Sequence, residues 1–511
     1  MRRILGEIHP SVAARLASSE WRTPVLLGLL FLAGLGLRVV HIAMVSGLPW
    51  FAADQPILDA FLYDRVAWNI VCGDPWRTPE IAYASSPTYA LWLAGLYRVF
   101  GHDVLVPRIA QALLGATVPL MLFHLGQKTI GTIAGWSAAL MAAFYGLLIF
   151  YDGELLKASL SVFLLVASLC WIVPHGEGRG HPLVAGLTLA LAIGMPGNVV
   201  PLVLVVLAWA VCRERRRWRF LVLFVAGLAI PLVPYHLRHL WAPPERIPFA
   251  YPAGIHLFIG NGPMAKGTYA PVFGITPSGV GHVLDAAKIM EKETGRRASP
   301  REVSAWWTSR TVAAIRSDPS RFGRLALKKL RLFANAYEIP NNEDYYFARR
   351  YSWVLRLPLF SWAIVAPLAF LGLCLSAVRL RPAGALLYSA LFIVVVLTLV
   401  VSFVTARYRL PVVPFACLLA GYAIQWTFET VKSRRWRRIG FSVGPLVVGL
   451  ALVLWPTPLD PARYLAGTEK KMRRYYPRAF ESSSATDADM EPSARTPPGG
   501  RRAADSTTKP N

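Results

Sequence analysis

The sequence predicts an all-α polytopic membrane protein with about eleven transmembrane helices, amphipathic helices in the first external loop and a small external domain. Hydrophobic residues make up 55% of the 511 residues, and the mean hydropathy is +0.42. Apolar runs of about 20 residues, long enough to cross a bilayer as a helix, recur along most of the chain. Much of the net charge of +25 lies between those runs, where Lys and Arg are typical of cytoplasmic loops. We therefore expect membrane lipids as partners and no nucleic acid.

The N-terminal part, residues 1–240, is predicted to be a transmembrane module. It begins with a basic cytoplasmic segment and an uncleaved first span at residues 24–45, and the first external loop occupies residues 46–105. The later spans of this module are expected at residues 106–125, 131–151, 155–173, 182–211 and 220–240. Met195-Pro196-Gly197-Asn198 interrupts the run at 182–211, which is either a hairpin of two short spans or one kinked helix.

Residues 241–356 are predicted to form the external domain, because this is the only long stretch of ordinary polar composition. C-terminal transmembrane helices follow within residues 357–457, with spans expected at 357–378, 385–405, 410–428 and 440–455. Residues 458–511 are predicted to be a tail that is first basic and then disordered. The distribution of positive charge places the N-terminus in the cytoplasm and the external segments on the opposite side of the membrane.

Asp59 and Tyr63 lie four residues apart in a predicted amphipathic helix of the first loop, so they share a helix face. A carboxylate held at the membrane surface can remove a proton from an acceptor group. We expect the water-poor surroundings to disfavour its ionised form. The other interpretation of a loop acid of this kind is a solvated side chain without a special role.

Further ionisable residues are expected at the same outer face. Asp152 and Glu154, with Lys157 close behind, occupy a very short turn between two spans. Ionisable groups at the membrane edge are costly and usually functional, although such a short turn must also contain something polar. Arg407 and Arg409 lie at an outer turn, where they can bind phosphate or extend to ordinary phospholipid headgroups.

The stretch from Gly254 to Gly262 contains Asn261 and is predicted to be a tight loop near the membrane. Its glycines lack the spacing and the strand–helix context of a dinucleotide site. The five cysteines form no cluster with histidines, so no metal site is predicted. The sequence identifies no cofactor and gives no support for a divalent metal.

Several short motifs occur in a fixed order between residues 24 and 430. They are Asp59-Ala-Phe-Leu-Tyr63, Ser86-Pro87-Thr-Tyr89, Arg108-Ile-Ala-Gln111, Tyr151-Asp152-Gly-Glu154, Ile259-Gly260-Asn261, Tyr337-Glu338-Ile-Pro-Asn-Asn342 and Arg407-Tyr-Arg409-Leu-Pro411. With these motifs the chain resembles the GT-C superfamily of polyprenyl-phosphate-sugar-dependent glycosyltransferases. Within it, the branch of protein O-mannosyltransferases and lipid A aminoarabinose transferases is the most similar.

The resemblance implies a GT-C-like transmembrane module and a donor sugar on undecaprenyl or dolichyl phosphate. It also implies that this donor is used on the external, periplasmic face of the cytoplasmic (inner) membrane. It also implies that Asp59 is the essential acid of the first loop. Ala60 stands where related enzymes usually have Glu, and Ser86 stands where some have an acid. Both departures weigh against a metal-binding role. Residues 195–198 replace an Arg-Pro-Asn-like motif and lose a positive charge.

The leading hypothesis is therefore an inverting hexosyl- or pentosyltransferase, in which Asp59 takes the acceptor proton while the sugar leaves its phosphate. The acceptor is a protein, a lipid or a glycan. The predicted substrate-binding residues are Tyr63, Arg108, Asp152, Glu154, Lys157, Asn261, Arg407 and Arg409. Two alternatives stay open: a transporter or flippase for lipid-linked sugars, which needs polar residues along several spans, and a non-catalytic assembly partner.

Overall fold

The computed structural model describes residues 21–56, 58–73, 87–173, 180–194, 199–213, 217–237, 253–379 and 382–477. In these ranges the chain is helical, and extended pairing is limited to one isolated bridge between Tyr145 and Phe360. The predicted disordered end of the tail, the interruption at residues 195–198 and Ser86 lie outside the described residues.

The helices of the first half are α1 (Arg22–Val45), α2 (Asp59–Val71), α3 (Pro87–Phe100), α4 (Leu105–Thr129), α5 (Thr132–Ala143), α6 (Gly146–Asp152), α7 (Lys157–Ile172), α8 (Pro182–Ile193), α9 (Leu202–Arg213) and α10 (Arg217–Leu237). Those of the second half are α11 (Ala253–Asn261), α12 (Gly281–Thr294), α13 (Pro300–Ser317), α14 (Pro319–Ala334), α15 (Tyr345–Ala348), α16 (Trp362–Arg379), α17 (Ala383–Val401), α18 (Ala406–Arg409), α19 (Val413–Lys432), α20 (Trp436–Leu454) and α21 (Pro461–Tyr475).

Four helical stretches among the described residues are long and apolar enough to cross a membrane. They are α1, α4, α17 and the stretch Ala406–Lys432, and a fifth results if the bent pair α6 and α7 counts as one span. Other apolar helices, such as α5, α8 and α16, are shorter. The prediction of a helical membrane protein is confirmed, whereas the predicted count of about eleven spans is not.

The predicted span at residues 131–151 is wrong as a continuous helix. Helix α5 ends at Ala143 and α6 begins at Gly146, because the backbone of Phe360 pairs with this stretch. The Phe360 N–H donates to the Phe144 carbonyl at 2.9 Å, and the Gly146 N–H donates to the Phe360 carbonyl at 3.0 Å. A Cβ atom at Gly146 would lie 2.6 Å from the Tyr345 hydroxyl, so a residue with a side chain would clash there. The apolar sequence gave no signal of this break.

Helices α6 and α7 meet at an angle of 115°. The turn between them, residues 153–156, contains Glu154 and directly precedes Lys157. The bend therefore presents both charged residues at the corner of two apolar helices.

Small residues bring the apolar helices close together. A Cβ atom at Gly126 of α4 would lie 2.6 Å from the Cα atom of Gly135 in α5. At Gly186 of α8 it would lie 2.1 Å from the Phe224 carbonyl oxygen of α10. These contacts allow the backbones to pack directly, which longer side chains would prevent.

The predicted tight loop at residues 254–262 is also wrong, because most of it belongs to helix α11. Its glycines serve helix packing instead of a turn. A Cβ atom at Gly254 would lie 2.0 Å from the Ser304 carbonyl oxygen of α13, and one at Gly260 would lie 2.1 Å from the Ser402 carbonyl oxygen. Helix α11 thus packs against both α13 and the end of α17.

Helix α21 follows the last apolar helix and was not predicted. The Asp460 carboxylate accepts hydrogen bonds from the N–H groups of Ala462 and Arg463, which caps the first turn. Met472 and Tyr476, at the other end, pack with Phe347 of α15 in a small apolar cluster. The basic part of the predicted tail is therefore a folded helix.

Candidate active site

Asp59 is the first residue of α2 and forms a buried ion pair with Arg407. The Arg407 Nη1 atom donates to the Asp59 Oδ2 atom at 2.6 Å, across 348 residues of sequence. The Asp59 side chain is 17% exposed and the Arg407 side chain is 8% exposed. A charge-assisted hydrogen bond of this length is among the stronger polar contacts in proteins.

The short helix α18 holds Arg407 in place. Extended Thr405 precedes it, and the Thr405 hydroxyl accepts a hydrogen bond from the Tyr408 N–H. The Ala406 N–H donates to the Ile339 carbonyl at 2.9 Å, which joins α18 to the segment between α14 and α15. Among the described residues, no hydrogen-bond partner lies within reach of the buried Arg407 Nε atom.

Three further side chains converge on the Asp59–Arg407 pair. Asn342 donates a hydrogen bond to the Asp59 carboxylate, and the charge of Lys157 also acts on it. The Lys157 Nζ atom lies 5.7 Å from the centroid of the Tyr63 ring, which is within the range of a cation–π contact. The structure thus brings together Asp59, Tyr63, Lys157 and Arg407, all of which were predicted as site residues.

The electrostatics of Asp59 differ from the sequence-based expectation. Burial raises the pKa of Asp59, but the Arg407 guanidinium, Lys157 and the Asn342 hydrogen bond together lower it below its ordinary value. The ionised form is therefore favoured, whereas the sequence analysis expected it to be disfavoured. The cause is the arginine across the chain, which sequence proximity does not reveal.

Glu343 adds a second carboxyl group with the opposite behaviour. Burial, and then the negative charge of Glu154, raises its pKa to about 8, so it is mostly protonated near neutral pH. Lys471 of α21 lies in the same cluster, because its charge acts on both Glu343 and Asp59. Burial also raises the pKa of Glu154 to about 7 and lowers the pKa of Lys157, to about 8, and of Lys471. Near neutral pH the cations Lys157, Arg407 and Lys471 still outnumber the ionised carboxylates, because Glu343 is mostly protonated and Glu154 is ionised only in part. The cluster carries a net positive charge that suits an anion.

Two histidines and a tyrosine form the next layer. His256 lies within electrostatic range of Asp59 and Lys157, and burial lowers the pKa of His256 to about 3, so it is neutral. The rings of His256 and His282 are 5.1 Å apart in an edge-to-face arrangement. His282 shares a hydrogen bond of 2.9 Å with the Tyr269 hydroxyl. Neutral imidazoles add polar atoms to the site without adding charge.

The turn at residues 153–156 is held by side chains of α4. The Arg108 Nε atom donates to the Gly153 carbonyl at 2.9 Å, and the Gln111 amide donates to the Glu154 carbonyl at 2.7 Å. The Tyr89 hydroxyl in turn donates to Gln111 at 2.7 Å. Arg108, predicted to bind substrate, is buried and bonds to backbone carbonyls, so it supports the turn that carries Glu154.

Asp152 has a different partner from Asp59. The Arg38 Nε atom of α1 donates to its Oδ2 atom at 2.6 Å, and both side chains are almost fully buried. The sequence analysis did not identify Arg38, because it lies inside a long apolar run. This pair links α1 to the end of α6.

The side chains of Arg409 and Asn261 form hydrogen bonds with groups other than Asp59. Arg409 donates to the carbonyls of Phe333 and Asn335 and to the Glu338 carboxylate, so its guanidinium is engaged in the protein interior. The Asn261 amide donates to the Val401 carbonyl at 2.6 Å.

The Asn261 side-chain Oδ1 atom accepts a hydrogen bond of 2.7 Å from the buried Lys329 Nζ atom. Lys329 also donates to the Val400 carbonyl, so Asn261 and Lys329 together satisfy the carbonyls at the end of α17. The helix end that precedes Arg407 is thereby fixed.

Sequence reasoning missed Asn342, Glu343, His256 and Lys471 as site residues. Asn342 ends one of the motifs that carried the resemblance, so its signal was present but unassigned. Lys471 lies in a basic run that resembles many others in this chain, and only the fold distinguishes it. Within the described ranges, no three His, Cys, Asp or Glu side chains are grouped as metal ligands.

Comparisons with known proteins give a distant structural likeness. No family model matches the sequence, and no curated protein matches it either. The chain is similar to the crystal structure of the Archaeoglobus fulgidus oligosaccharyltransferase tethered to an acceptor peptide, with 16% identity and a TM-score of 0.43 over 83% of this chain and 54% of that one. It is also similar to the apo form, with 15% identity and a TM-score of 0.42 over 88% and 59%.

A further similar structure is the same archaeal enzyme in complex with an inhibitory peptide and a dolichol-phosphate, with 15% identity and a TM-score of 0.43 over 88% and 59%. The chain spans between half and two thirds of the length of these enzymes. The proposals below rest on the geometry of the site itself.

Proposed function

We propose that this protein is a membrane glycosyltransferase that moves a sugar from a polyprenyl-phosphate donor to an acceptor on the outer face of the cytoplasmic membrane. The observation that carries the proposal is the buried Asp59–Arg407 pair, which places a base beside a cation suited to phosphate. Lys157 begins the apolar helix α7 and Arg407 lies in the apolar stretch Ala406–Lys432, so a lipid-borne donor can reach the cluster from the bilayer.

In the proposed reaction, the Asp59 carboxylate takes the proton of an acceptor hydroxyl. The acceptor oxygen then forms a bond to C1 of the sugar, and the bond from C1 to the phosphate oxygen breaks with its electron pair going to the phosphate. Attack from the face opposite the phosphate inverts C1. No covalent bond between sugar and protein is needed.

Arg407 and Lys157 stabilise the charge that builds up on the leaving phosphate. The unpartnered Nε atom of Arg407 supports this role, because a guanidinium can donate two parallel hydrogen bonds to a phosphate. Tyr63 packs under Lys157 and orients its ammonium group.

The proposal is tested with purified protein in nanodiscs and a synthetic polyprenyl-phosphate sugar, with the released polyprenyl phosphate measured by mass spectrometry. Asp59→Asn keeps the size of the side chain but removes the base, so turnover should fall about a hundredfold or more. Asp64→Asn is the matched control, because Asp64 accepts a hydrogen bond from the Tyr97 hydroxyl and not from Arg407.

Turnover by Asp59→Asn close to that of the unchanged protein would overturn the mechanism. Donor binding without turnover, together with movement of the lipid-linked sugar between leaflets, would support the transporter instead. Glycan and glycolipid profiles of cells with and without the protein would then identify the sugar and the acceptor.

A further inference from the structure

We propose that Lys471, on the C-terminal helix α21, binds the phosphate of the donor together with Arg407. This inference rests on the proposed function and adds a residue from a part of the chain that none of the sequence motifs touches. It makes α21 one wall of the active site.

The position of Lys471 follows from its contact with the residue that touches Asp59. The Lys471 Nζ atom lies 3.4 Å from the Asn342 carbonyl oxygen, and the side chain of the same asparagine donates to the Asp59 carboxylate. Lys471 is half-buried, whereas its neighbour Lys470 is exposed. One of two adjacent lysines is therefore directed into the charged cluster.

Helix α21 is anchored on both sides of the cluster, so this position is fixed. The Thr468 hydroxyl donates to the Asp344 carboxylate at 2.9 Å, next to Glu343. The Tyr476 hydroxyl donates to the Asp54 carboxylate at 2.9 Å, in the stretch that leads to Asp59. The helix thus connects the two segments that supply the acids of the site.

Lys471 can form a stronger hydrogen bond with an anion than the one that it forms with the protein. Its hydrogen bond to the Asn342 carbonyl is long, and a carbonyl is a weaker partner for an ammonium group than an anion is. Burial lowers the pKa of Lys471 and raises the pKa of the nearby Glu343 to about 8, so an entering anion would stabilise the charged form of the lysine. A phosphate oxygen would provide a charged partner and would lie close to Arg407.

Phosphate fits this cluster better than a sugar hydroxyl, because Arg407, Lys157 and Lys471 all lie close enough to act on the Asp59 carboxylate, while the pKa of Glu343 is raised to about 8 and that of Glu154 to about 7. A neutral sugar would leave that excess uncompensated in a partly buried site, which is costly. The ligand is therefore the phosphate of the lipid donor, and the sugar lies beyond it.

The test uses the full chain in nanodiscs and polyprenyl phosphate without a sugar as the probe. Lys471→Met keeps an unbranched side chain but removes the charge, and we expect binding to weaken roughly ten- to a hundredfold. Lys471→Arg should stay within a few-fold of the unchanged protein. Lys470→Met is the matched control and should leave binding unchanged.

The kinetic constants of turnover distinguish a role of Lys471 in donor binding from a general effect on the structure. Lys471→Met should raise KM for the donor while kcat changes by only a few-fold. If Lys471→Met lowers the Tm, Lys471→Gln is compared with Lys471→Arg in its place, and equal binding by those two overturns the inference.

The outcomes distinguish this inference from the proposed function. If the unchanged protein fails to bind polyprenyl phosphate and shows no turnover, the proposed function fails. If it binds and turns over while Lys471→Met does both equally well, only the role of Lys471 is wrong.

Discussion

The ion pair between Asp59 and Arg407 gives one arginine two tasks in the proposed reaction. In the free protein, Arg407 lowers the pKa of Asp59. A donor phosphate bound to Arg407 would neutralise much of that effect, while burial would continue to raise the pKa of Asp59. Donor binding would thus make the carboxylate a stronger base at the moment when the acceptor proton must leave.

A pH profile tests this coupling. The base must be ionised, so activity is lost as the pH falls through its pKa. In the unchanged protein the pKa of Asp59 is lowered, so the acidic limb that Asp59 causes in the kcat/KM profile should lie below about pH 5. In Arg407→Met the effect of burial dominates, and the acidic limb of the kcat/KM profile should move to higher pH.

Arg407→Lys is the control for that profile. It keeps the positive charge, so its acidic limb should stay at low pH, but it loses the paired hydrogen bonds and should weaken donor binding. An acidic limb that is the same in Arg407→Met as in the unchanged protein would show that Arg407 does not set the pKa of Asp59.

At the scale of single residues, the sequence predicted which types of residue form the site better than it predicted which residues contact one another. It indicated Asp59 and Arg407, because both lie at the edges of apolar runs. It also grouped Arg409 with Arg407, since the two are only two residues apart. In the one-turn helix α18 such neighbours point in different directions, and Arg409 reaches Glu338 in the interior.

At the scale of the helices, the buried Arg38–Asp152 pair fixes α1 against α6 and depends on a glycine of α4. A Cβ atom at Gly115 would lie 2.1 Å from the Asp152 Oδ2 atom. There is therefore room for the carboxylate only because residue 115 has no side chain.

Gly115→Ala should displace Asp152 from Arg38. Separating a buried pair leaves uncompensated charge and costs about 3–5 kcal/mol, so we expect a clearly lower Tm in detergent. Gly28→Ala is the control, because nothing lies within 4 Å of a Cβ atom added at that exposed position of α1. A Tm for Gly115→Ala equal to that of Gly28→Ala would contradict this account of the packing.

Apolar periodicity predicted helices well where residues at the two ends of the helix set its length. It predicted α3, which begins at Pro87 and ends before Gly101, where φ is +85°. It failed where distant backbone intervenes, as at the break before Gly146. It also failed at α21, because its side chains pack against parts of the chain more than 100 residues away.

At the scale of the whole molecule, the distribution of positive charge predicts which end of the helices faces outward. Cys72 is exposed at the end of α2, and Thr276, in the predicted external domain, is exposed as well. Ser433 is exposed after α19, beside a basic run. We expect an impermeant thiol reagent added to intact cells to label Cys72, and to label Thr276→Cys in a Cys72→Ser background.

The same reagent should leave Ser433→Cys in that background unlabelled until the cells are opened. Labelling of Ser433→Cys in intact cells would reverse the predicted orientation and would place the Asp59 site in the cytoplasm. The measurement thus fixes the side of the membrane on which the proposed reaction takes place.

The anchoring of α21 also sets an order of events during biosynthesis. The hydrogen bond between Tyr476 and Asp54 joins residues 422 positions apart. At about 5–20 residues per second, the ribosome needs roughly 20 to 80 seconds to travel that distance. During this interval the first loop has already emerged, but the helix that fastens it has not been made. A nascent chain therefore contains Asp59 before it contains α21. The charged cluster around Asp59 is assembled only near the end of translation.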